Sequence, residues 1–186
     1  MSSTITDNQR NYPVPEKEFQ RLQELRSINI LDTPADEEFD RLTEIAKREL
    51  DIDVSAVTFI DRDRQFLKSC SGLPGADMDR DESYCTYTIL SDEATVVEDS
   101  REDDRFGENY LIIEGREVRT YAGVPLTTKT GHRLGSFCVF GFEPRSYAPT
   151  ELELLKLLRD QAMALIESHH HEKQLRELAL YDTVTG

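Results

Sequence analysis

The first fifty residues repeat apolar side chains at the spacing of amphipathic helices. Two series stand between charged residues: Phe19, Leu22, Leu25 and Ile28, then Phe39, Leu42, Ile45 and Ala46. A start signal precedes the second series, because Thr33 can cap a helix, Pro34 suits a first turn and Asp36 can bond back to it. The pattern predicts two helices, the second ending near residue 51.

The middle of the chain changes to short apolar runs that are typical of strands. The run at 54–61 is mostly apolar, as expected for a strand buried on both faces. After a polar turn, residues 65–70 favour a second strand that runs back beside the first. Further strands are predicted at 94–99, 117–128 and 133–142, the last two joined by a turn. Residues 83–90 favour a short helix, whereas 71–82 and 100–117 favour irregular structure.

A long helix is predicted from a capping box at Thr150 and Glu153 to about Tyr181. It has an imperfect heptad seam with polar positions in its middle: Leu154, Leu158, Gln161, Leu165, Ser168, Glu172, Leu175 and Ala179. We interpret the first half as packing on the sheet and the second half as pairing with another helix. The order of elements predicts an α+β fold with one antiparallel sheet.

Composition disfavours proteins that bind nucleic acid, are secreted or span a membrane. The formal net charge of −15 repels nucleic acids and anionic lipid. The polar N-terminus lacks the apolar segment of a signal peptide, residues 1–14 favour a disordered lead-in, and no apolar run is long enough to cross a membrane. Three scattered cysteines without a C-x-x-C pair favour a reducing compartment. We therefore expect a cytoplasmic protein that binds neither nucleic acid nor membrane.

Six segments in this order resemble the GAF domain at the N-terminus of bacterial signalling proteins. They are INILDTPADEEFDRLTEIA, FIDRDRQFLKS, DESYCTYTIL, DSREDDRF, RTYAGVPLTTKTGHRLGSFCVFGFEPR and the helix that follows. The resemblance implies a six-stranded antiparallel sheet with helices on both sides, a long C-terminal helix and a small pocket. It assigns residues 15–168 to the sensory domain.

The closing stretch, ELALYDTVTG, resembles the lead into a GGDEF domain, where a helix ends in D-x-L-T-G. Val184 stands where that motif usually has Leu. The resemblance implies that residues 169–186 are a linker helix and the first residues of a diguanylate cyclase domain whose signature is absent here. We therefore expect a fragment that is not itself an enzyme, from a full-length protein that makes cyclic di-GMP.

The GAF resemblance also implies a set of ligand-binding residues. They are Tyr84, Cys85, Tyr87, Arg105, Asn109, Arg119, Tyr121 and Cys138. A structural role is the alternative for each, with the tyrosines in the core and Arg105 paired with Asp99 or Asp103. For Arg105 we favour this loop-fixing role, because an arginine beside several carboxylates forms charge-assisted hydrogen bonds.

The cysteines suggest a second kind of chemistry. Cys138 lies in an apolar strand and is expected to be inert, whereas Cys85 begins a predicted helix, whose dipole could lower its pKa. Redox chemistry between Cys85 and Cys70 is therefore an alternative, although the spacing differs from that of GAF-fold methionine sulfoxide reductases.

The sequence indicates no metal site and leaves the cofactor or ligand unknown. The segment 77–81 has alternating carboxylates, but Glu82 and Thr88 occupy the positions where an EF-hand needs Gly and Glu. Three consecutive histidines at 169–171 point in different directions on a helix and cannot converge on one ion.

Three functions remain open. The leading one is a sensory module that binds a small ligand or mediates homodimerisation, and controls a cyclase through paired C-terminal helices at Leu158, Leu165, Leu175 and Ala179. The second is a ligand-free dimerisation domain. The third is a thiol-based redox sensor or reductase.

Overall fold

The computed structural model of the protein describes residues 11–106 and 110–185, and these stretches form four α-helices and eight strands. The helices are α1 (Glu18–Ser27), α2 (Glu37–Glu49), α3 (Cys85–Thr88) and α4 (Pro149–Thr185). The strands are β1 (Val54–Ile60), β2 (Arg64–Ser71), β3 (Met78–Asp79), β4 (Thr95–Val97), β5 (Ile112–Ile113), β6 (Arg116–Glu117), β7 (Thr120–Thr127) and β8 (Arg133–Gly141). A single 3₁₀ turn, Arg80–Glu82, links β3 to the segment before α3.

Six strands form one antiparallel sheet in the order β3-β2-β1-β8-β7-β4, and β5 and β6 form a separate hairpin. The strands β1 and β8 lie at the centre and are buried along nearly their whole length, because both faces of the sheet are covered. The predicted α+β fold, with a six-stranded antiparallel sheet, helices on both sides and a long C-terminal helix, is confirmed.

Alternate residues of the central strands face opposite sides of the sheet, as the two-residue period of a strand requires. One face packs Val57 and Phe137 into the main core beneath α1, α2 and α4. The other face places Ala56 and Cys138 in a second cluster beneath α3. The second cluster surrounds the candidate site.

The face that α1 buries differs from the prediction. Leu22 and Leu25 enter the core, but Phe19 is 70% exposed, and Arg21 is buried in its place. The Arg21 guanidinium donates to the Ile60 carbonyl at 2.7 Å and to the Glu18 carboxylate at 2.8 Å. These bonds satisfy the buried charge, which apolar periodicity could not anticipate.

Both predicted helix caps are displaced from their expected positions. The side chain of Asp36, not Thr33, caps α2, because its carboxylate accepts the Glu38 backbone N–H at 2.9 Å. At α4 the Glu151 carboxylate accepts the Ala148 backbone N–H at 2.8 Å, which places the box two residues before Thr150. A carboxylate therefore accepts a backbone N–H at the start of both α2 and α4, as is common at helix N-termini.

The helix α4 passes from a buried part to an exposed part. Its buried side chains are Leu155, Leu158, Ala162 and Ile166. Leu165 is half-buried against the main core, whereas Leu175 and Ala179 are exposed. Of the residues predicted to pair, Leu158 and Leu165 thus pack against the domain instead. Leu175 and Ala179 are free, and their pairing stays a prediction. No helix among the described residues combines the length and apolar character needed to span a bilayer.

The start of the described chain contacts the domain. The Tyr12 ring lies 4.9 Å from the Arg80 guanidinium, and its hydroxyl donates to the Arg62 carbonyl at 3.0 Å. Residues 1–10 of the predicted lead-in and Gly186 of the closing motif lie outside the described residues. The predicted boundaries at 14 and 168 stay predictions.

Candidate functional site

A cavity of about 330 Å³ lies on the α3 side of the sheet. Residues of β1, β2, β7 and β8 form its floor, and the β5–β6 hairpin and the loop at 73–78 cover it. Its volume is at the lower end of the range of small-molecule sites. Half of the predicted ligand-binding residues line it: Tyr84, Cys85, Tyr121 and Cys138.

The predicted ligand-binding set omitted most of the residues that line this cavity. Its further lining includes Thr58, Gln65, Cys70, Leu111, Val118 and Phe140. Alternation in the strands could have found part of this set, because Thr58 and Phe140 follow Ala56 and Cys138 at two-residue steps on the same face. The β5–β6 hairpin, which contributes Ile112 and Ile113, has no comparable signal in the charged segment around it.

The Tyr121 hydroxyl is the centre of a buried polar network in the cavity floor. It lies 2.7 Å from the Thr88 hydroxyl and 3.2 Å from the Ser136 hydroxyl, and it donates to the Cys85 sulfur at 3.3 Å. Gly123 makes room for it, since a methyl group at that position would overlap the Tyr121 hydroxyl. This network links α3 to strands β7 and β8.

The surroundings of the two buried thiols shift their pKa values in opposite directions. Burial raises the pKa of Cys85, but hydrogen bonds outweigh it and lower that pKa to about 6. The partners in these hydrogen bonds are the thiol of Cys138 and the hydroxyls of Thr58, Tyr121 and Ser136. The hydrogen bond with Cys85, together with burial, raises the pKa of Cys138 well above 9. Side-chain donors thus replace the predicted helix dipole, because α3 is only four residues long.

Tyr84 separates this cavity from a second one of about 660 Å³. Its ring stacks on Phe106 with centroids 3.9 Å apart and meets Tyr121 edge-on at 5.7 Å. Tyr87 and Arg105 line the second cavity rather than the first. The predicted ligand-binding set is therefore divided between two spaces.

The arginines of the predicted set hold loops in place. Arg105 forms a two-pronged pair with Asp103 at 2.6 and 2.9 Å, and these hydrogen bonds lower the pKa of Asp103. Arg119 binds Asp99 in the same way and is absent from the described lining of either cavity. This geometry matches the loop-fixing interpretation of Arg105. The eighth predicted residue, Asn109, lies outside the described residues.

The charged groups at the cavity are carboxylates. Asp77, Glu82 and Glu114 line it, whereas its described lining contains no lysine, arginine or histidine. One of these charges is already engaged, since Asp77 pairs with Arg64 at 3.0 Å and accepts the Leu67 N–H at 2.9 Å. The cavity therefore suits a neutral or cationic molecule with a large apolar surface better than an anion.

Metal ligands are not assembled in the described parts of the chain. Within residues 11–106 and 110–185, no three His, Cys, Asp or Glu side chains group as a metal site. His169 packs edge-on to Phe39 with centroids 6.2 Å apart, and His170 lines a shallow space beside α1 with His171.

Comparisons with known proteins agree with this geometry. A model of the family described as GAF domain matches residues 34–166. The chain is 31% identical over 175 residues to the cyclic di-GMP phosphodiesterase PA2567 of Pseudomonas aeruginosa. That match covers 94% of this chain but 29% of the relative, so the chain spans less than a third of the relative's length.

Solved structures share the fold at low identity. The GAF domain of an Acinetobacter phosphoenolpyruvate-protein phosphotransferase has a TM-score of 0.59 and 16% identity, over 85% of this chain and 97% of that one. Residues 122 to 287 of a methyl-accepting chemotaxis protein have a TM-score of 0.60 and 18% identity, over 83% and 97%. The family model covers most of the sheet and its helices, and the chain therefore belongs to the GAF domain family.

Proposed function

We propose that this chain is a sensory module that binds a small, largely apolar ligand in the cavity between the sheet and the β5–β6 hairpin. The observation that supports it is the cavity itself, whose lining is mostly apolar with a few convergent polar groups: Tyr84, Tyr121, Thr58 and Gln65. Such a lining is typical of small-molecule sites. GAF domains act as sensory or regulatory modules, and the fold supports such a role for this chain.

The charge of the lining supports a choice of ligand class. Two arginines that could have neutralised a phosphate, Arg105 and Arg119, are occupied by aspartates outside this cavity. The rim has carboxylates instead. The ligand we propose is neutral or cationic, and a cyclic nucleotide is disfavoured because its phosphate would meet like charge.

The output we propose is control of an enzyme of cyclic di-GMP turnover through α4. The relative named as a cyclic di-GMP phosphodiesterase supports the signalling system. The resemblance of the closing D-T-V-T-G to the start of a GGDEF domain supports a cyclase as the regulated enzyme. The GAF domain itself has a regulatory and not a catalytic role in this proposal.

Two fluorescent probes test the ligand class. N-phenyl-1-naphthylamine is neutral and apolar, and anilinonaphthalene sulfonate has a similar ring system with a negative charge. We expect the neutral dye to bind at least about tenfold more tightly, which corresponds to about 1.4 kcal/mol. Ala56→Leu, which adds volume to the cavity floor, should weaken binding, whereas Tyr87→Phe in the second cavity should not.

Native mass spectrometry of freshly purified protein completes the test. A non-covalent mass that is lost on denaturation would identify the natural ligand by weight. Equal binding of both dyes, or binding that Ala56→Leu leaves unchanged, would contradict the proposed site. An empty dimer that binds neither dye would instead favour the ligand-free dimerisation domain.

A further inference from the structure

Two free thiols face each other in the floor of the cavity. The sulfur atoms of Cys85 on α3 and Cys138 on β8 lie 3.9 Å apart, although 53 residues separate them in the chain. Both side chains are nearly fully buried from bulk solvent, and both line the cavity. A small polar molecule that enters the cavity therefore reaches both sulfurs.

The surroundings allow the two sulfurs to approach. A disulfide needs a sulfur–sulfur distance of about 2.05 Å, so the gap must close by about 2 Å. Cys138 is fixed in the middle of the sheet, where it pairs with Ala56 on one side and Gly123 on the other. Cys85 lies on a single helical turn whose backbone hydrogen bonds run within residues 83–90, so this turn can move towards the sheet without breaking strand pairing.

The hydrogen bonds around the pair give its members different chemical roles. The hydroxyl of Tyr121 donates to the Cys85 sulfur at 3.3 Å, and burial raises the pKa of Tyr121 well above 10, so that donor stays protonated. Cys85 therefore has the greater thiolate character, and Cys138 keeps its proton. A nucleophilic thiolate beside a protonated thiol is the arrangement found in redox-sensitive cysteine pairs.

We propose that Cys85 and Cys138 form a site of oxidative modification, where hydrogen peroxide converts the two thiols into an intrachain disulfide. The Cys85 thiolate attacks one peroxide oxygen, the O–O bond breaks, and the departing hydroxide takes up a proton to form water. The Cys138 sulfur then attacks the Cys85 sulfenic acid, and the lost hydroxyl leaves as a second water. In total, two thiols and one peroxide give one disulfide and two waters.

This pairing differs from the one that the sequence suggested. Cys70 lines the same cavity from β2 and is the most exposed of the three cysteines. Burial raises its pKa, however, so it has little thiolate character at neutral pH. Cys70 therefore serves as an internal control, since solvent access alone would make it react first. Disulfide formation is independent of the proposed ligand, because it requires only the two sulfurs and peroxide.

The test counts thiols in the folded protein. Protein reduced without oxygen is treated with an equimolar amount of hydrogen peroxide, quenched and assayed after denaturation. We expect free thiols to fall from three to one, the mass to fall by about 2 Da, and peptide mapping to link Cys85 with Cys138. Dithiothreitol should restore all three thiols.

Two variants separate this site from general oxidation. Cys70→Ser should form the disulfide at the rate of the unmodified protein. Cys138→Ala should stop at a sulfenic acid on Cys85, which dimedone traps. Three thiols remaining in the folded protein, or a link that includes Cys70, would overturn the proposal. If Cys138→Ala fails to fold, the peptide map and the rate in Cys70→Ser still show whether the disulfide joins Cys85 to Cys138 or involves Cys70.

Discussion

At the scale of single residues, the Tyr121 hydroxyl determines the chemistry of the cavity floor. It contacts Thr88, Ser136 and Cys85, which come from three different elements. A hydroxyl that donates to sulfur stabilises the thiolate more than the thiol. The acidity of Cys85 should therefore depend on this one group.

Alkylation of Cys85 by iodoacetamide should reveal this dependence. Because the pKa of Cys85 is lowered to about 6, its rate should rise as the pH passes about 6 and level off above that pH. Tyr121→Phe removes the donor and keeps the ring, so the midpoint should move to higher pH. Tyr87→Phe removes a hydroxyl that faces the other cavity, and it should leave the midpoint in place. An unchanged midpoint in Tyr121→Phe would show that the hydroxyl has no such role.

Glu18 is the second residue on which several others depend. Its carboxylate pairs with the buried guanidinium groups of Arg21 and Arg80, which are 1% and 0% exposed. Burial raises the pKa of Glu18, but hydrogen bonds from the two arginines lower it by more, to below its usual value of 4.5. The stabilisation is thus fully present at neutral pH and is lost as the pH falls below about 4.5.

Glu18→Gln should destabilise the domain at neutral pH. Removing one partner leaves two buried cations without their shared anion, and partial solvent access reduces the cost to about 2 kcal/mol. Urea denaturation measures it, with Glu16→Gln as the control on an exposed side chain two residues away. The difference between Glu18→Gln and the unmodified protein should shrink towards pH 3. Equal effects of the two substitutions would contradict a structural role for Glu18.

At the scale of elements, α4 is attached to the sheet by one narrow face. Leu155 is fully buried in the main core, whereas Leu157, two residues on, is 62% exposed. Leu155→Ala should therefore cost about 3 kcal/mol through lost burial and the cavity left behind. Leu157→Ala should cost less than about 0.5 kcal/mol. Chemical denaturation of both variants compares them on the same helix, and similar losses would mean that α4 does not dock by this face.

The elements differ in how far the sequence could predict them. The strands β1 and β8 were predicted within about a residue, because their apolar runs are bounded by polar turns. The caps of α2 and α4 were not, since several neighbouring side chains could accept the same N–H groups. The contact between Cys85 and Cys138 depends on how a one-turn helix lies on the sheet. No local pattern encodes that placement, and so the sequence suggested Cys70 as the partner of Cys85, whereas the structure brings the sulfur of Cys138 next to Cys85.

The residues of the candidate site also differ in how far the sequence could predict them. The family resemblance suggested Tyr84, Cys85, Tyr121 and Cys138 by their position in the fold, and the structure brings these four to one cavity. The role of the arginines was harder to predict, because a guanidinium near several aspartates can either bind a ligand or fix a loop. In the structure the guanidinium of Arg119 pairs with Asp99 and that of Arg105 pairs with Asp103. Only the pairing in three dimensions distinguishes the two.

At the scale of the whole molecule, the exposed half of α4 projects apolar side chains away from the domain. They are Leu175, Leu178, Leu180, Tyr181 and Val184, each at least 66% exposed. Leu175, Leu178 and Ala179 lie on one side of the helix, and Leu180 lies roughly 140° around the axis from Leu175. This segment is the region that we propose to pair with a second copy and to transmit the state of the cavity.

A charge placed on the pairing side should separate the copies. Leu175→Glu puts two carboxylates into the seam of a dimer, so the dissociation constant should rise roughly tenfold or more. Leu180→Glu adds the same charge at an equally exposed position on the other side and should leave the constant nearly unchanged. Native mass spectrometry over a range of concentrations measures both, and thermal unfolding should be unaffected because neither side chain contacts the core. If both variants dissociate alike, the seam lies elsewhere on α4. If the unmodified chain is a monomer throughout, the exposed helix does not pair by itself and the proposed route of signalling fails for this chain.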